Sequence, residues 1–545
     1  MNQPVHQGGW RRYAARAFRR RSFLWKFALG TLLIGGGAGY GISKVQPSGP
    51  DKLGERVLAL SGASLQKEDP DHPIEGNETQ DISPAFAAEI RPADIDFSDV
   101  LHALPTLAPH ATPAAREAMR ASLRERFSPE EADLAFDYLA AWVNFGGGEQ
   151  ERLEARADRP DAPRFANYVT GRIELRRKNY QRAYERFHQE GERESAGESR
   201  YMAVHALLEA KDFIALARLT ANPRYGRYVS PYVRLQIAIG RQDWRGILDG
   251  VPRAQIASYE ANLVIVTAIV GLAWTFFLGH LGELPGVFSK ASLLCLCAIG
   301  LGALSTVPTV YLVIWEEDIH HFVAGADPAH IFAYNIGGVA AREELCKLLF
   351  FLPLLPFLIR RANELEVLIV ASFVGLGFAI EENCSYFMMS EATSAPGRFL
   401  TANFFHIALT GMNGLALSRV FTRGAAGLNE FLFILPVSIL AHGSYDALLD
   451  LPGFEWGGYA ATAVYAGFAM FYFKQVHPLR GNVRMTIGLT GAFIVCSSLM
   501  AATVIGFVMI DLGPAAGLAA ILPELLGNAV LLFLFFREFD EKLEH

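Results

Sequence analysis

Apolar positions divide this chain into two unlike parts. Between about residues 50 and 255 no apolar run is long enough to cross a bilayer, and the spacing of hydrophobic residues is that of amphipathic helices. From 260 to 537 one long apolar segment follows another, each near the ~20 residues that a membrane-spanning helix needs. The pattern predicts nine spans, at about 260–279, 292–314, 333–359, 366–388, 399–418, 429–448, 457–473, 486–508 and 515–536, after a first apolar stretch at about 27–42. The expected fold class is therefore all-α: a polytopic helical membrane protein of about ten spans, with a helical domain between its first and second spans.

The charges between these segments order them. The first 50 residues carry Arg11, Arg12, Arg16, Arg19, Arg20, Arg21, Lys26 and Lys44 and no acid, which places the N-terminus in the cytoplasm. Arg20-Arg21-Ser22-Phe23-Leu24 has the look of a twin-arginine export signal, but no A-x-A site follows, so the stretch reads as an anchor. Loops expected inside carry Lys290; Arg360 and Arg361; Arg419 and Arg423; and Lys474, Arg480 and Arg484. Those expected outside carry Glu316, Glu317 and Asp318; Glu391 and Arg398; Asp450 and Glu455; and Asp511. Alternation of this kind puts residues 45–258 outside the cytoplasm and the C-terminus within it, as expected of a multi-pass protein of a bacterial cell membrane. The division expected is a basic tail and anchor at 1–44, a flexible tether at 45–112, an extracytoplasmic helical domain at 113–258, a multi-span domain at 259–537 and a cytoplasmic tail at 538–545.

Within the polar half a repeat is visible. Lys178-Asn179-Tyr180, Lys211-Asp212-Phe213 and Gln242-Asp243-Trp244 each close one helical pattern and open the next. The spacing approaches the tetratricopeptide period of about 34 residues, in which each helix pair buries its apolar face only against its neighbours. An irregular helical domain is the plainer alternative. Ser128-Pro129-Glu130-Glu131 marks a helix start, and Gly146-Gly147-Gly148 ends that run.

Composition changes this picture little. The chain is 51% hydrophobic with a net charge of −7, but that charge averages two dissimilar halves. No basic face with interleaved aromatics points to nucleic acid. Cys295, Cys297, Cys346, Cys384 and Cys496 all lie in apolar segments, so a disulfide framework is not expected. Trp274, Trp315 and Trp456 read as interfacial anchors.

Chemistry enters where charge interrupts the spans. Glu343, Glu344 and Lys347 lie within an otherwise apolar segment, where a charge at the bilayer centre costs at least ~2.5–3.5 kcal/mol. Their spacing puts them on one side of a helix. The next span holds Phe378, Glu381, Glu382 and Asn383; the one after it holds Asn403, His406 and Asn413. A further span ends with His442 and, four residues on, Asp446, the spacing at which a carboxylate can hold one imidazole nitrogen and aim the other at a metal or water. Counted at 1.5 Å per residue, Glu343, Glu344, Glu382, His406 and His442 all fall between mid-membrane and the outer surface. Four spans thus place acids and imidazoles in one slab. Glu381 points away from Glu382 and reads as a rim residue; the asparagines read as interhelical hydrogen bonders. Glu316, Glu317, His320 and His321 read as a solvated loop beside the membrane.

These residues resemble the PrsW family of intramembrane proteases, related to the CAAX-processing and bacteriocin-processing membrane proteases. The resemblance covers roughly residues 260–510 and rests on EExxK at Glu343, Glu344 and Lys347, FxxxE at Phe378 and Glu382, His406 in the following span, and HxxxD at His442 and Asp446. It implies a metalloprotease-like hydrolase that cleaves membrane proteins; the 45–258 region lies outside it.

The residues themselves are compatible with that chemistry. Peptide hydrolysis in a membrane needs a water, a base and a group to stabilise the oxyanion. Glu343 or Glu344 can serve as base. His406 and His442, with Glu382 as third ligand, can hold a divalent metal of the zinc type, which lowers the pKa of its water to ~7. Asp446 would orient His442, Lys347 would offset a carboxylate, and Asn383 would support the set. A metal-free route, in which Glu and His406 activate water directly, stays open. The expected partners are the bilayer and a membrane-protein substrate recruited by the external domain. The competing class is a non-catalytic scaffold or ion or proton pathway using the same buried polar cluster; against it, the acidic motif is not repeated in a second half.

Overall fold

The computed structural model describes residues 17–45, 96–107, 120–143, 148–389, 401–481, 487–522 and 535–539, apart from single positions within those ranges. Among the described residues the chain is helical, with no strand. It forms two compact units, residues 47–250 and residues 1–46 with 251–545.

In the 47–250 unit, the helix Pro129–Val143 begins where Ser128 caps it: the Glu131 N–H donates to Ser128 Oγ at 3.3 Å, and the Ser128 N–H donates back to Glu131 Oε2 at 3.1 Å. Three helix pairs follow: Ala166–Arg176 with Tyr180–Gly191, Gly197–Glu209 with Phe213–Thr220, and Pro231–Gly240 with Trp244–Ala257. The turn inside each pair is the same. Lys178, Lys211 and Gln242 sit at φ 62°, 54° and 54°. The N–H of the next residue reaches back to a helix carbonyl: Asn179 to Glu174 at 2.9 Å, Asp212 to Leu207 at 3.1 Å and Asp243 to Ala238 at 2.9 Å. This is the left-handed helix stop that satisfies terminal carbonyls, and here non-glycine residues adopt it three times. Tyr168, Phe187, Leu207 and Tyr225 are fully buried between successive helices.

The other unit is a helical bundle. Its elements are α1 (Arg21–Val45), α2 (Ala261–Leu281), α3 (Lys290–Leu304), α4 (Ala341–Phe351), α5 (Glu364–Met389), α6 (Asn403–Arg423), α7 (Ala425–Asp450), α8 (Gly457–Leu479) and α9 (Leu489–Asp511). Helix α5 is central, packed against α2, α3 and α6, while α6 also meets α7 and α8 and α1 lies along α9. Two glycines allow that packing. A Cβ on Gly375 would stand 2.3 Å from the His406 carbonyl oxygen, and one on Gly377 would stand 2.0 Å from that of Ile299. Small residues at such crossings let helix backbones approach closely.

Four stretches among the described residues are helical, long and apolar enough to cross a membrane: Val264–Leu281, Lys290–Ile319, Ala425–Asp450 and Leu489–Ile510. The expected span at 333–359 is not a uniform helix. It runs through a π-helical turn at Tyr334–Ala340, then α4, then a 3₁₀ turn at Leu352–Leu354. A second π-helical segment covers Ile314–Ile319. Such turns are rare, and they gather at functional sites. Much of the expected last span, 515–536, lies outside the described residues.

Candidate active site

Four helices of the bundle bring their charged and imidazole groups together. Glu343, Glu344 and Lys347 come from α4, Glu382 and Asn383 from α5, His406 from α6, and His442 and Asp446 from α7. Helix α7 reaches the group by close contact: a Cβ on Gly443 would stand 2.5 Å from Ile336 Cα in the π turn ahead of α4.

Lys347, fully buried, is the hub. Its ammonium donates to Glu344 Oε1 at 2.8 Å and to Glu343 Oε2 at 3.4 Å, and stands 2.8 Å from His406 Nδ1. Its Nζ also lies 4.0 Å from the centre of the Phe378 ring, so the Phe of the FxxxE motif caps the cation that the EExxK motif supplies.

The two adjacent glutamates stand in different places. Glu344 has no exposed surface and both its oxygens are engaged: Oε1 by Lys347 and by His442 Nδ1 at 3.1 Å, Oε2 by the Asn413 amide at 3.1 Å. Glu343 is turned towards the imidazoles, its Oε2 3.7 Å from His442 Nε2. The His406 and His442 rings meet edge to face with centres 5.1 Å apart. Each ring has a buried neighbour on Nδ1, Lys347 for His406 and Glu344 for His442, and a carboxylate on Nε2. Glu382 lies 2.9 Å from His406 Nε2, and Asp446 lies 3.4 Å from His442 Nε2.

Asp446 stands beside His442, on the Nε2 side that it shares with Glu343, and Glu344, from another helix, stands on Nδ1. Two other expectations change. Glu381 is not a rim residue: it is buried and accepts from the Tyr259 hydroxyl at 3.0 Å and the Gln255 amide at 3.4 Å. Glu316 and Glu317 are not a loose loop. Arg342, itself buried, donates to Glu316 at 2.8 Å, and the Tyr334 hydroxyl donates to Glu317 at 2.5 Å, tying the two π-helical segments together. Arg342 precedes Glu343 directly, which was the available signal. Asn383 is buried and donates to Asn403 at 2.6 Å, between the same two helices that carry Glu382 and His406.

Ligand atoms of Glu343, His406 and His442 all lie within 4.8 Å of one another, and all three residues are buried. Two imidazoles and a carboxylate are a donor set suited to a divalent transition metal, and the partner on each Nδ1 leaves Nε2 facing the carboxylates. The residues fit such an ion, with one feature of opposite sense: the group on His406 Nδ1 is an ammonium, where a metal-bound imidazole usually meets an acceptor.

Acids and imidazoles gathered in the dry interior of a helical membrane protein are the equipment of intramembrane hydrolysis. Residues 290–474, the segment that contains every group named in this cluster, match the model of the PrsW family of intramembrane metalloproteases. No curated protein and no solved structure matches the chain.

Proposed function

We propose that the chain is an endopeptidase that hydrolyses peptide bonds of membrane-protein substrates at the Glu343–His406–His442 cluster. The observation that carries this is the convergence of those three buried side chains, from three helices, to within 4.8 Å. His406, His442 and Glu382 would hold a divalent cation of the zinc type. When bound, such an ion polarises the scissile carbonyl and makes water a better nucleophile at neutral pH. Glu343 takes the proton from the attacking water and returns it to the leaving amine. Glu344 has no oxygen left for that task and instead holds His442 by Nδ1, while Lys347 balances the two carboxylates. A metal-free form of the same proton transfers is favoured by a single contact, the Lys347 ammonium on His406 Nδ1.

The setting belongs to the same proposal. About ten spans, cytoplasmic termini and an extracytoplasmic 45–258 region are supported by the loop charges. A tetratricopeptide-like stack at about 160–250 is supported by the three identical turns, and its role is to recruit the substrate. The test compares cells carrying wild type, Glu343→Ala and His442→Ala at equal membrane abundance. An uncleaved membrane protein accumulates in both variants; unchanged processing in both overturns the proposal.

A further inference from the structure

One buried acid of the bundle has no task in the proton transfers at Glu343. Glu381 directly precedes Glu382 on α5 and is 8% exposed. The Tyr259 hydroxyl donates to its Oε1 at 3.0 Å, and the Gln255 amide donates to the same oxygen at 3.4 Å. The Gln255 amide also reaches the Thr306 hydroxyl, 3.5 Å away at the start of the helix Thr306–Val313 that follows α3. Gln255 and Tyr259 belong to the same unit as Glu381 and lie in the stretch that leads into α2.

Stability does not explain this acid. A carboxyl group in an apolar span is costly and marks function by default. Among the described residues the groups that bond to Glu381 are neutral, so it makes no ion pair that would hold helices together. Leucine in its place would free a phenol that is 38% exposed and an amide that is half-buried, and both can turn to other partners.

Position on the helix supplies the reason. Neighbouring residues point about 100° apart. Glu382 faces α6, where its Oε2 lies 2.9 Å from His406 Nε2, and Glu381 faces the chain that enters α2. One to two turns earlier, Gly375 and Gly377 bring the α5 backbone against α6 and α3. Backbone contact of that kind sets the distance between helices. A side chain anchored to another element sets the rotation about the helix axis. A rotation of ~15° carries a group ~5–6 Å from the axis through about 1.5 Å, enough to part Glu382 from His406.

Taking the proteolytic reading as its premise, we infer that Glu381 is a positioning residue for the reaction: anchored by Tyr259 and Gln255, it holds α5 at the rotation that keeps Glu382 on His406. The stretch entering α2 thereby helps to set the geometry of a site that α4, α5, α6 and α7 build.

The test follows cleavage, by purified full-length enzyme in detergent, of the membrane protein that accumulates in Glu343→Ala cells. Glu381→Leu lowers kcat by ~10–100-fold with KM unchanged, the effect of displacing a reacting group by about 1 Å. Its unfolding temperature stays at or above that of wild type. Glu381→Gln, whose amide oxygen accepts the same two bonds, recovers most of the rate. Tyr259→Phe removes the shorter bond and lowers kcat by about 5-fold. A further readout needs no turnover: zinc added to Glu381→Leu is lost to a chelator at ~10–100-fold lower chelator concentration than from wild type. A wild-type kcat in Glu381→Leu, an unfolding temperature that falls with the rate, or equal zinc retention overturns the inference. So does Glu381→Gln as slow as Glu381→Leu, which would make the acid a proton carrier and not an anchor. Glu343→Gln separates the premise from the inference. Undiminished cleavage by Glu343→Gln falls on the proteolytic reading, whereas an inactive Glu343→Gln beside a fully active Glu381→Leu falls on the anchor alone.

Discussion

The two units use charge in opposite ways. In the bundle, Lys347, Glu343, Glu344, His406 and His442 have left water, and the contacts among them offset what that costs. In the helical pairs most charges stay at the surface: the Arg224–Glu192 pair joins side chains that are 58% and 50% exposed, the kind of pair that contributes little. What holds the helical pairs is apolar stacking and a recurrent turn. The first unit spends stability on chemistry, and the second assembles a surface from a repeated part.

The contrast is sharpened most by Lys347→Met. It leaves Glu343 and Glu344 buried without their shared cation, and stability should fall by about 3–5 kcal/mol, the effect of breaking a buried ion pair. Thermal unfolding of purified protein in detergent reads this, and a loss below ~1 kcal/mol, typical of a surface pair, would break the comparison. A smaller effect of opposite sign belongs to the helical pairs. Lys211→Gly relieves a left-handed backbone at φ 54° and should stabilise that unit by about 1 kcal/mol or less, since a left-handed non-glycine residue carries ~1–2 kcal/mol of strain and glycine adds back chain entropy. Destabilisation there would show that the turn is held by the lysine side chain, not by the backbone.

The chemistry of the site was legible at the level of residue type and helix face. Spacings of three and four put Glu343, Glu344 and Lys347 together, and depth counting grouped them with Glu382, His406 and His442. The division of labour between Glu343 and Glu344 was not legible. Neighbours on a helix point about 100° apart, and what separates their roles is a tertiary fact: Asn413 and His442 arrive on Glu344 from two other helices. The same limit applied to Asp446, whose i, i+4 relation to His442 gives proximity but does not say which imidazole nitrogen it faces. Glu381 was misjudged because its partners, Gln255 and Tyr259, are more than 120 residues away in sequence. In the helical pairs the turn motifs were legible because they are local: a left-handed stop needs only its own helix. The π-helical turns had no local signal of comparable strength; the bond that joins them, from the Tyr334 hydroxyl to Glu317, is a tertiary contact.

Hydrolysis at Glu343 is the central claim, and incorporation of solvent oxygen tests it most directly. The membrane protein that accumulates in the inactive strain is incubated with purified enzyme in ¹⁸O-labelled water, and the new C-terminal carboxyl is weighed by mass spectrometry. Wild type should place one solvent oxygen in each new C-terminal carboxyl, and Glu343→Gln should be slower by roughly 10²–10⁴, the contribution of a general base. Products without the label, or a Glu343→Gln rate equal to wild type, would contradict the account.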